Sequence, residues 1–148
     1  MKIWVDLRSK KRGIRRDEAR RKASRVLKEL GLGNVELSLL LVDDSEMERL
    51  NFQFLGRQAP TNVIAFSQLE GEGPPGAPLL LGDVVISLDT CQREAQEAGI
   101  SFCERFLELL VHGILHLMGY EHEGDEQRAA LMSREEKRIL EAVACSSQ

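Results

Sequence analysis

The chain has 148 residues, 43% of them hydrophobic and 30% charged, with a formal net charge of −4. That length fits one domain able to bury about 70% of its unfolded surface, and the composition reads as soluble and globular. No apolar run approaches the ~20 residues needed to span a bilayer. The opening stretch MKIWVDLRSKKRG lacks the apolar core of a signal peptide. Cys91, Cys103 and Cys145 are odd in number and form no C-x-x-C pair. We therefore expect no disulfide framework and a reducing, cytoplasmic setting, each cysteine being a small apolar residue or a surface thiol. The net charge conceals an asymmetry. Residues 1–30 carry 12 Lys/Arg against 4 Asp/Glu, which leaves 8 basic and 20 acidic residues in 31–148. Charge alone leaves two readings open, a seat for a polyanion and a solvated helix face.

In chain order, KIWVDL (2–7) alternates Ile3, Val5 and Leu7 with Lys2, Trp4 and Asp6 and reads as a strand. A helix is expected from Asp17, as N-cap, to Leu30, with Ala19, Ala23, Val26 and Leu27 on its apolar stripe and Gly31 beyond it. VELSLLLVD (35–43) is a second strand, apolar on both faces in its later half and so central. Asp44 or Ser45 is expected to cap a helix through Met47, Leu50 and Leu55, which Gly56 ends. TNVIAFS (61–67) and LLLGDVVISL (79–88) supply the third and fourth strands, around the loop EGEGPPGAP. A short helix over 89–99, capped by Asp89 and stopped by Gly99, precedes residues 102–118. There Phe102, Phe106, Leu110, Ile114 and Leu117 belong to an apolar set covering most of the circumference, which predicts a buried helix. A last amphipathic helix runs from about Asp125 to Val143. The whole is expected to be an α+β fold in a single domain, 1–148. A mixed sheet of about four strands is covered by helices, and a buried central helix carries the histidines.

All three histidines fall within HGILHLMGYEH (112–122). His112 and His116, four apart, share one helix face about 6 Å apart along the axis. Gly119 can end that helix in a left-handed conformation and turn the chain back, bringing His122 round. A lone histidine here would be an ordinary core residue. Three at positions 0, 4 and 10, with none elsewhere, predict an open tetrahedral Zn2+ site with a vacant fourth position. Such a site binds water and lowers its pKa to about 7, although imidazole also suits other transition metals. The spacing matches H-x-x-x-H-x-x-G-x-x-H of the metzincin peptidases, which place a general-base Glu directly after the first His. This chain has Gly113 there, so the spacing predicts the metal and not the peptide chemistry. Glu121 and Glu123 read as solvated loop carboxylates.

Four ordered segments together resemble the YbeY family of bacterial metal-dependent endoribonucleases. HGILHLMGYEH is similar to the family's H-G-x-L-H-L-x-G-Y-D-H, with Glu121 in place of Asp. LNFQFLGRQAPTNVIAFS is similar to L-N-x-x-x-R-x-x-x-x-P-T-D-V-L-S-F-P, with Asn62 for Asp and Ser67 for Pro. LGDVVISLD and the placing of Met132 agree as well.

The resemblance implies one zinc per chain on His112, His116 and His122, with Arg57 and His112 in the catalytic set. Arg57 suits that role because a guanidinium can take two non-bridging phosphate oxygens at once. Arg12, Arg15 and Arg16, with Arg57, are the candidate RNA contacts. The implied activity is cleavage of single-stranded RNA in late ribosomal RNA maturation, at the 3′ end of 16S rRNA, and in ribosome quality control. The small subunit and its proteins would be partners, and no membrane is involved. A zinc peptidase-like hydrolase and a non-catalytic ribosome-assembly factor are the alternatives; the open metal position argues against purely structural zinc.

Overall fold

A computed structural model describes residues 1–10, 13–57, 61–68, 75–120 and 125–145. The elements run β1 (Lys2–Leu7), α1 (Arg16–Glu29), β2 (Val35–Val42), α2 (Asp44–Leu55), β3 (Val63–Ser67), β4 (Leu79–Ser87), α3 (Leu88–Ala98), α4 (Phe102–Leu117) and α5 (Glu126–Ala142). The sheet order is β1-β2-β4-β3. β1, β2 and β4 are mutually parallel and β3 runs antiparallel to β4. This is the expected mixed four-stranded α+β fold.

Strand alternation sorts the core into two layers. Leu37, Leu39, Leu41, Val84 and Ile86 turn to one face, where α1, α3, α4 and α5 bring Leu27, Cys91, Leu110, Ile114 and Met132. Val42, Ile64 and Val85 turn to the other, where α2 supplies Met47 and Leu50. Central β2 and β4 are thus apolar on both sides, as strands covered on both faces must be. No helix of the described residues is long and apolar enough to cross a membrane.

Helix starts differ from expectation, because side chains at two N-termini are shared between elements. Asp43, not Asp44, stands at the N-cap of α2, and Ser87, not Asp89, caps α3 by accepting from the Thr90 N–H. Asp89 reaches across, and its Oδ2 accepts the Asp44 N–H at 2.9 Å. Asp44 reciprocates: Ser87 Oγ and Thr90 Oγ1 each donate to its Oδ1 at 2.6 Å, and Arg93 pairs with its Oδ2 at 2.7 Å. The partners meet because Val42 and Ser87 are register neighbours at the carboxyl ends of parallel strands. In α1, Arg15 occupies the N-cap and Asp17 sits in the first turn, where its charge favours the helix dipole.

The expectation of unbridged cysteines is overturned. Cys103 and Cys145 form a disulfide, with Cα atoms 6.3 Å apart and a sequence separation of 42. α5 folds back antiparallel along α4, which brings the chain end beside the start of α4. The cysteine pattern thereby loses its force as a sign of a reducing compartment. Cys91 alone stays free, and burial pushes its thiol up to about 12, so it is no nucleophile.

Two predictions follow from this packing. Tying ends 42 residues apart removes about 4 kcal/mol of unfolded-chain entropy. Cys145→Ser, or added dithiothreitol, should lower stability in urea by up to that amount; identical midpoints with and without reductant would show that the bond contributes nothing. For Asp44, burial favours the neutral acid, but hydrogen bonds from Ser87, Thr90 and Arg93 outweigh it and hold the carboxyl below its ordinary value. The stabilisation is complete above the ordinary Asp pKa of about 3.9 and is lost as pH falls through the lower folded value. Asp44→Asn should therefore cost on the order of 2 kcal/mol at pH 7. The gap from wild type should narrow below about pH 4; a gap constant between pH 7 and pH 3 would contradict this account.

Candidate functional site

α4 sits almost directly on the sheet. Its start is fixed by a reciprocal cap in which Ser101 Oγ accepts the Glu104 N–H at 3.0 Å and Glu104 Oε1 accepts the Ser101 N–H at 3.3 Å. Midway, Gly113 lies against the strands. A Cβ there would stand 2.8 Å from Val84 Cγ1 and 3.2 Å from Val63 Cγ2. Only a residue without a side chain allows this approach. The position that carries the general base in metzincins is therefore spent on helix–sheet contact.

His112 and His116 flank that contact. Their Nε2 atoms face each other at 3.0 Å, with ring centroids 4.5 Å apart. Two imidazoles on one tetrahedral ion, with bonds of about 2.0–2.1 Å, place their nitrogens about 3.3–3.4 Å apart. The pair fits a shared cation with a displacement of a few tenths of an ångström. Among the described residues no group of three or more His, Cys, Asp or Glu forms a metal cluster. His122, the expected third ligand, lies outside them, as do Glu121 and Glu123. Gly119 does adopt the left-handed conformation expected of it, with φ 95°.

The histidines open onto a cleft of about 570 Å³ whose wall includes Arg57, Thr61, Asn62, Val63, Ala65 and Ser67. Arg57 reaches it because Gly56, at φ 69°, turns the chain off the end of α2. The Arg57 N–H donates to the Asn51 carbonyl at 3.3 Å. The Arg57 side chain is exposed and pairs with no carboxylate among the described residues. Asn62 is pinned at both ends: its carbonyl accepts from the Ser87 N–H at 3.0 Å, and its Nδ2 donates to Glu94 at 3.2 Å. Glu94 is held in turn by Arg105, at 3.0 Å, which also binds Glu108 at 2.9 Å. Burial works against the charged Arg105, but the two carboxylates raise its pKa further than burial lowers it. An Asp at position 62 would set like charge against Glu94, whereas the amide donates to it.

The fold thus brings Arg57, His112 and His116 to one cleft. It does not bring Arg15 and Arg16 there: both are exposed at the start of α1, which packs on β1 at the far edge of the sheet from β3. Arg12 lies outside the described residues. Part of the basic segment is paired locally, Arg8 with Asp6 and Glu46, Arg21 with Asp17 and Lys22 with Glu18. The sequence reading missed Glu136, whose Oε1 lies 3.3 Å from His112 Nδ1. A signal existed: Glu136 falls between the buried Met132 and Ile139 at helical spacing, an acid on an apolar stripe.

The family model described as Endoribonuclease YbeY matches residues 5–144. A protein named Endoribonuclease YbeY from Geobacter metallireducens is 42% identical over 141 residues, covering 95% of this chain and 94% of that protein. A protein of the same name from Syntrophotalea carbinolica is 42% identical over 142 residues, covering 95% of each. Among solved structures, a Thermotoga maritima protein determined in solution superposes with a TM-score of 0.68 at 28% identity, covering 95% of this chain and 88% of that one.

The close approach of α4 to the sheet is open to test. Gly113→Ala gains about 1 kcal/mol of helix propensity but forces overpacking worth about 1–3 kcal/mol. The variant should be less stable by up to about 2 kcal/mol. Adding Val84→Ala should give a double variant more stable than the sum of the single effects. Strict additivity in urea unfolding would show that the two side chains do not meet.

Proposed function

Because this chain belongs to the YbeY endoribonuclease family, we propose that it cleaves single-stranded RNA in the cleft between Arg57 and the histidine pair, using one zinc ion held by His112, His116 and His122. The observation that carries this reading is the convergence of an exposed guanidinium and two facing imidazoles on one cleft. A zinc ion held there supplies a Lewis acid for a phosphoryl oxygen.

The chain's own residues account for the remainder. Arg57, at the lip of the cleft, takes two non-bridging oxygens of the scissile phosphate and stabilises the charge that gathers on them. Attack by water or by the RNA 2′-hydroxyl gathers that charge on the same oxygens, and Arg57 serves either course. Asn62, anchored through Ser87 and Glu94, keeps its part of the cleft wall in place. A cleft of about 570 Å³ takes one strand and not the width of a duplex, so single strands are the favoured substrates. The exposed Arg15 and Arg16 lie away from the cleft and serve as secondary phosphate contacts for a long RNA.

Within the cell this reading places the protein in the cytoplasm, acting on ribosomal RNA of the small subunit at the 16S 3′ end, in late maturation and quality control. Ribosomal proteins are then its natural neighbours. A peptidase-like reading is not favoured, since Gly113 occupies the position of the general base and the relatives are endoribonucleases by name.

The test is cleavage of an RNA bearing a stem and a single-stranded 3′ tail, with nuclease-free preparations. Wild type should cut the tail and His116→Ala should not. Arg57→Ala should lose about 10²–10³-fold in rate with its zinc content unchanged. Undiminished cleavage by Arg57→Ala would remove Arg57 from the mechanism, and equal cleavage by His116→Ala would remove the metal.

A further inference from the structure

His112 is a wall between two cavities. Its Nε2 faces His116 in the larger cleft, while its Nδ1 lies 3.3 Å from Glu136 Oε1 beside a cavity of about 230 Å³. A neutral imidazole carries its proton on one nitrogen, and an ionised carboxylate can only accept. The contact with Glu136 therefore selects the Nδ1–H form, which leaves the Nε2 lone pair aimed into the cleft, the form that binds a cation. We infer that Glu136 is a positioning residue that fixes the tautomer and ring orientation of His112 for metal binding. This inference rests on the reading that His112 and His116 hold a metal.

Three observations support it. Glu136 has no other evident employment: Arg105, the cation beside the same cavity, is committed to Glu94 and Glu108, and among the described residues Glu136 pairs with no lysine or arginine. Glu136 is also held in place. It stands on the inner stripe of α5 with its side chain 27% exposed, opposite a His112 side chain 29% exposed. Cys103 lies nine residues before His112 and Cys145 nine after Glu136, so the disulfide locks the register that sets acid against histidine. Finally, the facing ring suits that form. His116 Nε2 lies 3.0 Å from His112 Nε2, so one cation could be shared by the two rings.

The test has two readouts that need no RNA. In metal-free wild type, long-range proton–nitrogen NMR should show His112 as the Nδ1–H tautomer. Zinc affinity, measured against a chromophoric chelator, should weaken about 10–100-fold in Glu136→Ala and less in Glu136→Gln, whose amide oxygen can still accept from Nδ1–H. Glu135→Gln, which loses only the bond to Arg138, should match wild type. An Nε2–H tautomer of His112 in wild type would overturn the inference without recourse to any variant. Wild-type zinc affinity in Glu136→Ala would overturn this inference alone, whereas wild type that takes up no zinc would overturn the metal reading and the inference with it.

Discussion

Val84 and Gly113 meet where a helix and a sheet are closer than two side chains would permit, and much of the molecule is arranged around that contact. With no Cβ at position 113, the backbone of α4 comes down onto β4 and β3. The imidazoles of His112 and His116 then share one cleft with Val63, Ala65 and Ser67 of β3. There they meet the lip of the cleft formed by the end of α2. A layer of side chains between helix and sheet would raise both rings and separate them from Arg57. The packing constraint and the chemistry are one requirement seen from two sides.

Around this contact the remaining polar groups act as stays. Asp89 accepts from the Asp44 N–H while the Asp44 carboxylate accepts from Ser87 and Thr90, tying together the starts of α2 and α3, which lie on opposite faces of the sheet. The same strand end anchors Asn62 through Ser87, and Asn62 carries the restraint to Glu94 and Arg105. On the far side of α4, α5 is fixed by the disulfide at one point and touches His112 through Glu136 at another. The histidine helix is therefore restrained from the sheet below and from α5 beside it. That suits the proposed metal centre, whose ligands would have to keep their separation while a charged chain enters and leaves.

Where local chemistry decided the outcome, the residues were informative in advance. Alternating Ile3, Val5 and Leu7 define β1 to the residue, and the all-round apolar run of 102–118 becomes the buried α4. The i, i+4 histidines face each other as helix geometry requires. What could not be read depended on pairings across space. Asp89 looks like a cap for its own helix but serves α2, because only the register of β2 against β4 brings Asp44 within its reach. Cys103 and Cys145 give no spacing signal, since their meeting follows from the antiparallel return of α5. The basic N-terminal third suggested proximity to the site, yet the strand order sends it to the opposite edge. Glu136 was legible only as an acid out of place on an apolar stripe.

The position of β3 has a further consequence. Among the described residues it is an edge strand, bonded to β4 on one side only. α4 covers one of its faces and α2 the other, so a cleft walled by α4, by the end of α2 and by Val63, Ala65 and Ser67 wraps its open side. Open edges invite pairing with another chain. Here any strand that annealed to β3 would fill the groove beside the histidines. Extension of the sheet in that direction and occupancy of the groove are mutually exclusive, so whatever lies in the groove also keeps one molecule from stitching to the next.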